Sequence, residues 1–155
     1  NQKVIRMLDE MKSKENVEPW LNERLSKKQV VWGMGHREYS TKDPRANILT
    51  GMVKELFEEQ SGKVSTMFET AMALEKACEE KLSKKGVYAN VDFYSGILYK
   101  EIGIPVDLFT TIFAISRTSG WLAHWIEQVG NNKIFRPTQN YTGSNDRDYD
   151  DISSR

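Results

Sequence analysis

The chain has 155 residues, and 22 Lys plus Arg balance 22 Asp plus Glu, so its formal net charge is zero. That length supports a domain with a sizeable core, and the balance excludes a general electrostatic pull towards nucleic acid or an anionic membrane. The one cysteine, Cys78, excludes an internal disulfide, so nothing calls for an oxidising compartment.

The start, Asn1-Gln2-Lys3-Val4, has no initiator Met and no signal-peptide pattern, which predicts that the chain begins inside a longer polypeptide. Val4, Ile5, Leu8 and Met11 recur at three- and four-residue spacing, the mark of a helix face. A second short helix is expected over 17–25, with Pro19 in its first turn. Residues 29–43 hold two glycines, a Trp, a His and several charges without a steady period, and are expected to form an ordered loop. Asp43-Pro44 opens the next helix, with Asp as cap and Pro at the first helical position. Its predicted apolar face is Ile48, Leu49, Met52, Val53, Leu56 and Phe57, and Ser61-Gly62 breaks it.

A longer helix follows, with Val64, Met67, Ala71, Leu74, Cys78 and Leu82 on one stripe and a stop at Lys84-Lys85-Gly86. Cys78 reads as a small core residue, not a nucleophile, because no His neighbours it in sequence. After a connector over 87–91, Asp92 caps a helix that ends at Gly103, and Pro105 leads into the longest helix, about 108–129. Arg117, Ser119 and His124 interrupt its apolar run, which therefore falls short of the ~20 apolar residues a membrane span needs. The tail, 133–155, is polar and aperiodic. With no repeat and no sustained strand alternation, the class is all-α, and the Met, Leu and Ile stripes are expected to be core.

Three segments carry chemistry. Trp32-Gly33-Met34-Gly35-His36-Arg37 precedes Asp43-Pro44-Arg45. Glycines before a His let backbone approach a ligand, and His is the side chain best placed to move a proton near neutral pH. Arg45 falls in a first helical turn, where guanidinium and free amides can meet a carboxylate. In Asn90-Val91-Asp92-Phe93-Tyr94-Ser95-Gly96, Asp92 is either an ordinary N-cap or a partly desolvated carboxylate fit for proton transfer. In Ser116-Arg117-Thr118-Ser119-Gly120-Trp121, an Arg in a mostly apolar helix calls for an anionic partner. Arg136-Pro137 in the tail adds a fourth cation. One His, one Asp and three Arg suggest a small polycarboxylate and acid–base chemistry. No metal-ligand spacing links His36 and His124, and no phosphate-cradling Gly-x-x-x-x-Gly-Lys is present, so neither a metal nor a cofactor is expected.

These segments, with Gly103-Ile104-Pro105, Phe113 to Arg117, Trp125-Ile126-Glu127 and Tyr141-Thr142-Gly143, resemble the citrate synthase family in order and spacing over nearly the whole chain. The resemblance implies a helical small domain over 1–105 and a return into a large domain over 106–155. It implies an acyltransferase that condenses acetyl-CoA, as substrate, with oxaloacetate, giving citrate and CoA. Asp92 would take the methyl proton, and His36 would hydrogen-bond the ketone oxygen. Arg45, Arg117 and Arg136 would clamp carboxylates, Arg136 in the partner subunit's site of a homodimer. Val31, Gly33, Met34, Gly35, Arg37, Lys42 and Asn90 would lie along CoA. The family's enolising His falls just upstream of the position matching Asn1, so the chain alone would be inactive. Ser40 departs from the Lys or Arg that many members carry beside the CoA phosphates, with Lys42 or Arg37 as the substitute. A cytoplasmic or mitochondrial-matrix location is implied. Propionyl-CoA as the acyl donor, giving 2-methylcitrate, and a non-catalytic binding module are the competing readings.

Overall fold

The computed structural model describes residues 1–60, 63–134, 140–148 and 150–154. They fold as helices joined by short turns, in two compact units, Asn1–Arg117 and Thr118–Arg155. The expected break at Ser61-Gly62 and the cation Arg136 lie outside the described residues.

In the first unit, α1 (Gln2–Met11) buries Val4, Ile5, Met7, Leu8 and Met11, the face its spacing predicts. A 3₁₀ turn, Lys14–Asn16, leads into α2 (Val17–Ser26), which carries Pro19 in its first turn. After the loop, α3 (Pro44–Gln60) starts where Asp43 Oδ1 accepts the Arg45 amide at 2.9 Å. The α3 face differs from its predicted stripe. Ala46, Val53 and Phe57 are buried, whereas Ile48 and Met52 are exposed. Periodicity sets the width of an apolar stripe, but the neighbouring helix decides which part of it is covered.

Ser65, absent from the sequence-based expectation, caps α4 (Thr66–Leu82) by accepting the Phe68 amide at 3.2 Å. Val64 consequently lies outside the helix and is exposed. Gly86 stops the chain in the left-handed conformation, φ 68°, after the 3₁₀ turn Ser83–Lys85. The next helix is α5 (Val91–Glu101). It packs against α1 and α3, while α4 packs against α1 and α2. Phe68, Phe93 and Tyr94 meet at the centre, with ring centroids 5.1 Å apart for Phe93–Tyr94 and 6.2 Å for Phe68–Tyr94. Cys78 lies in this core. Burial pushes its thiol up to about 12, which fits a packing residue and not a nucleophile.

A 3₁₀ turn, Val106–Leu108, opens α6 (Phe109–Gly130), the longest helix. Phe109 is fully buried and stacks edge-on against Tyr99 at 5.3 Å, which holds the start of α6 in the first unit. In the second unit the expectation that apolar stripes are core fails. Trp121, Leu122, Trp125, Ile126 and Val129 are all more than half exposed. A helix apolar on several sides needs covering on several sides, and the described residues of this unit do not cover it. None of the described helices is long and apolar enough to cross a membrane.

Candidate active site

The loop between α2 and α3 and the start of α5 are joined backbone to backbone. The Gly35 amide donates to the Tyr88 carbonyl at 2.7 Å, and the Asn90 amide donates to the Gly33 carbonyl at 2.9 Å. Met34 and Ala89 form an isolated antiparallel bridge. Asn90 completes the join with its side chain, donating through Nδ2 to the Gly35 carbonyl at 2.8 Å. His36 therefore follows directly from a segment tied to the entry of α5, two residues ahead of Asp92.

Asn90, not Asp92, caps α5. Its Oδ1 accepts the Asp92 amide at 2.9 Å. The expected cap is Asp92, but Asn is as good an N-cap as Asp and here stands two residues earlier. The outcome frees the Asp92 carboxylate, which is half exposed. Asp92 lines a cavity of about 290 Å³ with Asn1, Gln2, Lys3, Val4, Trp32, Gly33 and Thr110. The backbone nitrogen of Asn1 is 4.0 Å from Asp92 Oδ1.

His36 is exposed, and its orientation is set locally. Nδ1 accepts the Glu38 amide at 3.0 Å and the Tyr39 amide at 3.2 Å. The imidazole stacks on the Tyr39 ring, centroids 4.5 Å apart and planes 17° from parallel. With Nδ1 accepting, the neutral ring carries its proton on Nε2, which is left as a donor.

Asp43 is buried and takes both edges of Arg45, Nε at 3.0 Å on Oδ1 and Nη2 at 2.8 Å on Oδ2. The Arg45 hydrogen bonds hold the Asp43 carboxyl below the usual carboxylate range against the opposing cost of burial, with a smaller contribution from the Val91 amide of α5. The same pairing, with a smaller contribution from the Asp92 carboxylate, raises Arg45 against the opposing cost of burial. Arg45 is thus within electrostatic reach of Asp92, and its remaining N–H groups stay available on a side chain 43% exposed.

The other predicted cations differ. Arg117 is exposed, not buried as its apolar helix suggested, and its guanidinium lies over the Phe113 ring at 5.0 Å. No ion pair or hydrogen bond ties it to His36, Arg45 or Asp92. Arg37 is exposed, Val31 is buried, and Met34 is half-buried. Lys42 turns inward, its Nζ 2.7 Å from Glu75 Oε1. Glu75 and Tyr94 are additions that local pattern did not disclose. Among the described residues no group of three or more His, Cys, Asp or Glu could hold a metal ion.

The family model "Citrate synthase, C-terminal domain" matches residues 1–138. The citrate synthase of Acidithiobacillus ferridurans is 50% identical over 155 residues, covering 100% of this chain and 40% of that protein. The citrate synthase of Synechocystis sp. is 48% identical, covering 100% of this chain and 38% of that protein. The solved citrate synthase of Thermoplasma acidophilum, a ternary complex with carboxymethyl coenzyme A and oxaloacetate, is 37% identical with a TM-score of 0.78. That match covers 99% of this chain and 41% of the Thermoplasma chain. This chain therefore spans well under half the length of these relatives. Matched by the family model over residues 1–138 and 50% identical overall to one citrate synthase, the chain belongs to the citrate synthase family, in its C-terminal domain.

Proposed function

We propose that this chain is the C-terminal part of an acyltransferase that condenses acetyl-CoA and oxaloacetate into citrate and CoA. The observation that carries the reading is the join between the Gly33–His36 loop and the Asn90–Asp92 helix start, in a chain of this family. Asp92 removes a methyl proton from the thioester. The resulting enolate carbon attacks the oxaloacetate ketone, while His36 Nε2–H donates to the ketone oxygen as negative charge develops there. Water then cleaves the citryl thioester, releasing citrate and CoA. Arg45, Arg117 and Arg136 bind and orient the carboxylates, a task suited to the planar guanidinium fork.

The weakly acidic methyl also needs a donor on the enolate oxygen. We assign it to a His in the segment preceding Asn1. Support comes from the Asn1 nitrogen lying 4.0 Å from Asp92 Oδ1, so residues joined to it would enter the same cavity. Residues 1–105 correspond to a small domain and 106–155 to part of a large one. Val31, Gly33, Met34, Gly35, Arg37 and Asn90 lie along CoA, with Arg37 a better phosphate contact than Lys42, whose ammonium is paired with Glu75. The exposed apolar residues of α6 support a covering by the rest of a large domain and by a second subunit of a homodimer. The ligands of the Thermoplasma relative support acetyl-CoA and oxaloacetate as substrates. Two relatives near half-identity, both citrate synthases, favour acetyl-CoA over propionyl-CoA and an enzyme over an inert module.

The test is a full-length assay. Acetyl-CoA plus oxaloacetate should release CoA thiol, and Arg117→Ala should raise the oxaloacetate Kd by about 10- to 100-fold, as loss of a charge-paired anchor does. An unchanged Kd in that variant would count against the clamp.

A further inference from the structure

Glu75, on α4, touches both segments that carry His36 and Asp92, the loop at Lys42 and α5 at Tyr94. Its side chain is only 16% exposed. Oε2 accepts the hydroxyl proton of Tyr94, which is fully buried on α5 two residues beyond Asp92. Oε1 is 2.7 Å from Nζ of Lys42, an ion pair rather than an aligned hydrogen bond. Lys42 immediately precedes Asp43, which in turn grips both edges of Arg45. One carboxylate on a third helix thus holds the loop by its Lys and the helix by its Tyr. Burial, and next the Glu75 hydrogen bond, push the Tyr94 phenol well above its usual range, so Tyr94 remains a donor.

A carboxylate this far from water is costly unless paired. Apolar packing alone would fill the same volume, but it is non-directional and tolerates sliding, whereas charge-assisted bonds fix direction and register. We propose that Glu75 is a positioning residue that sets the His36–Arg45 loop in register with the Asp92 helix. This rests on the condensation reading above.

The full-length protein tests it through Glu75→Gln, Glu75→Asp and Lys42→Met, with kcat, both KM values and thermal midpoint measured for each. Glu75→Gln keeps an acceptor for Tyr94 and loses the ion pair. It should lower kcat/KM for oxaloacetate by about 10- to 100-fold, the scale of a misplaced reacting group. Glu75→Asp should recover part of that loss. Lys42→Met should lower kcat/KM for oxaloacetate likewise, and joining it to Glu75→Gln should add little, because both remove one pair. Three results overturn the proposal in an active protein. One is a lower thermal midpoint with unchanged kcat and KM, the mark of a purely structural role. Another is full additivity of the two changes. The third is a Lys42→Met effect confined to the acetyl-CoA KM, which would make Lys42 a CoA contact. If Glu75→Gln does not fold, Glu75→Asp and Lys42→Met decide by the same criteria. A wild-type protein without condensation activity overturns the reading beneath the proposal instead.

Discussion

Replacing Asp92 with asparagine in the full-length protein should lower kcat by roughly 10²- to 10⁴-fold, the usual contribution of a positioned base. Oxaloacetate binding should stay within about threefold, because the guanidinium groups carry it. Stability should change by no more than about 0.5 kcal/mol, as for a surface change away from a cap. The local structure justifies that separation. Asn90 does the capping, the Asp92 carboxylate is half exposed, and an amide of the same shape keeps the cavity lining intact. Steady-state kinetics and calorimetric titration check the two halves. Turnover within a few-fold of wild type would remove Asp92 from the proton-transfer role.

Gly33→Ala should be the most destabilising small substitution in the loop. Gly33 has φ +82°, where a Cβ is disfavoured by about 1–2 kcal/mol. The added carbon would also sit 2.8 Å from Phe93 Cδ2, 2.9 Å from Val4 Cγ2 and 3.0 Å from Phe93 Cα. Phe93 and Val4 belong to the packed core, and backbone cannot swing aside as a side-chain tip does. Overpacking of this kind costs about 1–3 kcal/mol more. Because Phe93 adjoins Asp92, activity should fall alongside stability. Gly51→Ala is the internal contrast. Gly51 lies inside α3 with nothing within 4 Å of an added Cβ, so alanine should stabilise by about 0.5–1 kcal/mol. Urea unfolding of both variants measures the difference, and equal effects would contradict the crowding at Gly33.

Much of this was legible in sequence where the cause is local. The α1 stripe, the Asp43-Pro44 start, the Gly86 stop and the aperiodic loop each follow from backbone preference or helical period, and each is found. What failed depends on contacts between distant elements. Ile48 and Met52 share the α3 stripe but are left uncovered. Arg117 sits in a mostly apolar helix yet is exposed, as is every residue from Ile115 to Ser119. The cap of α5 is Asn90 rather than the expected Asp92, and the Asn90 side chain also reaches Gly35, 55 positions away. Glu75 looked like one more charge on a helix, and only the meeting of α4, the loop and α5 gives it partners. The candidate site was recognisable as motifs, while its geometry came from the turn around Gly33–Gly35 pairing with Tyr88–Asn90.

A crystal structure of the full-length protein with bound oxaloacetate tests the central claim most directly. The ketone oxygen is expected within hydrogen-bond distance of His36 Nε2, with carboxylates on Arg45 and Arg117 and the Asp92 carboxylate facing the open side of the ketone carbon. Oxaloacetate bound elsewhere, with His36 and Asp92 opening onto separate surfaces, would contradict it.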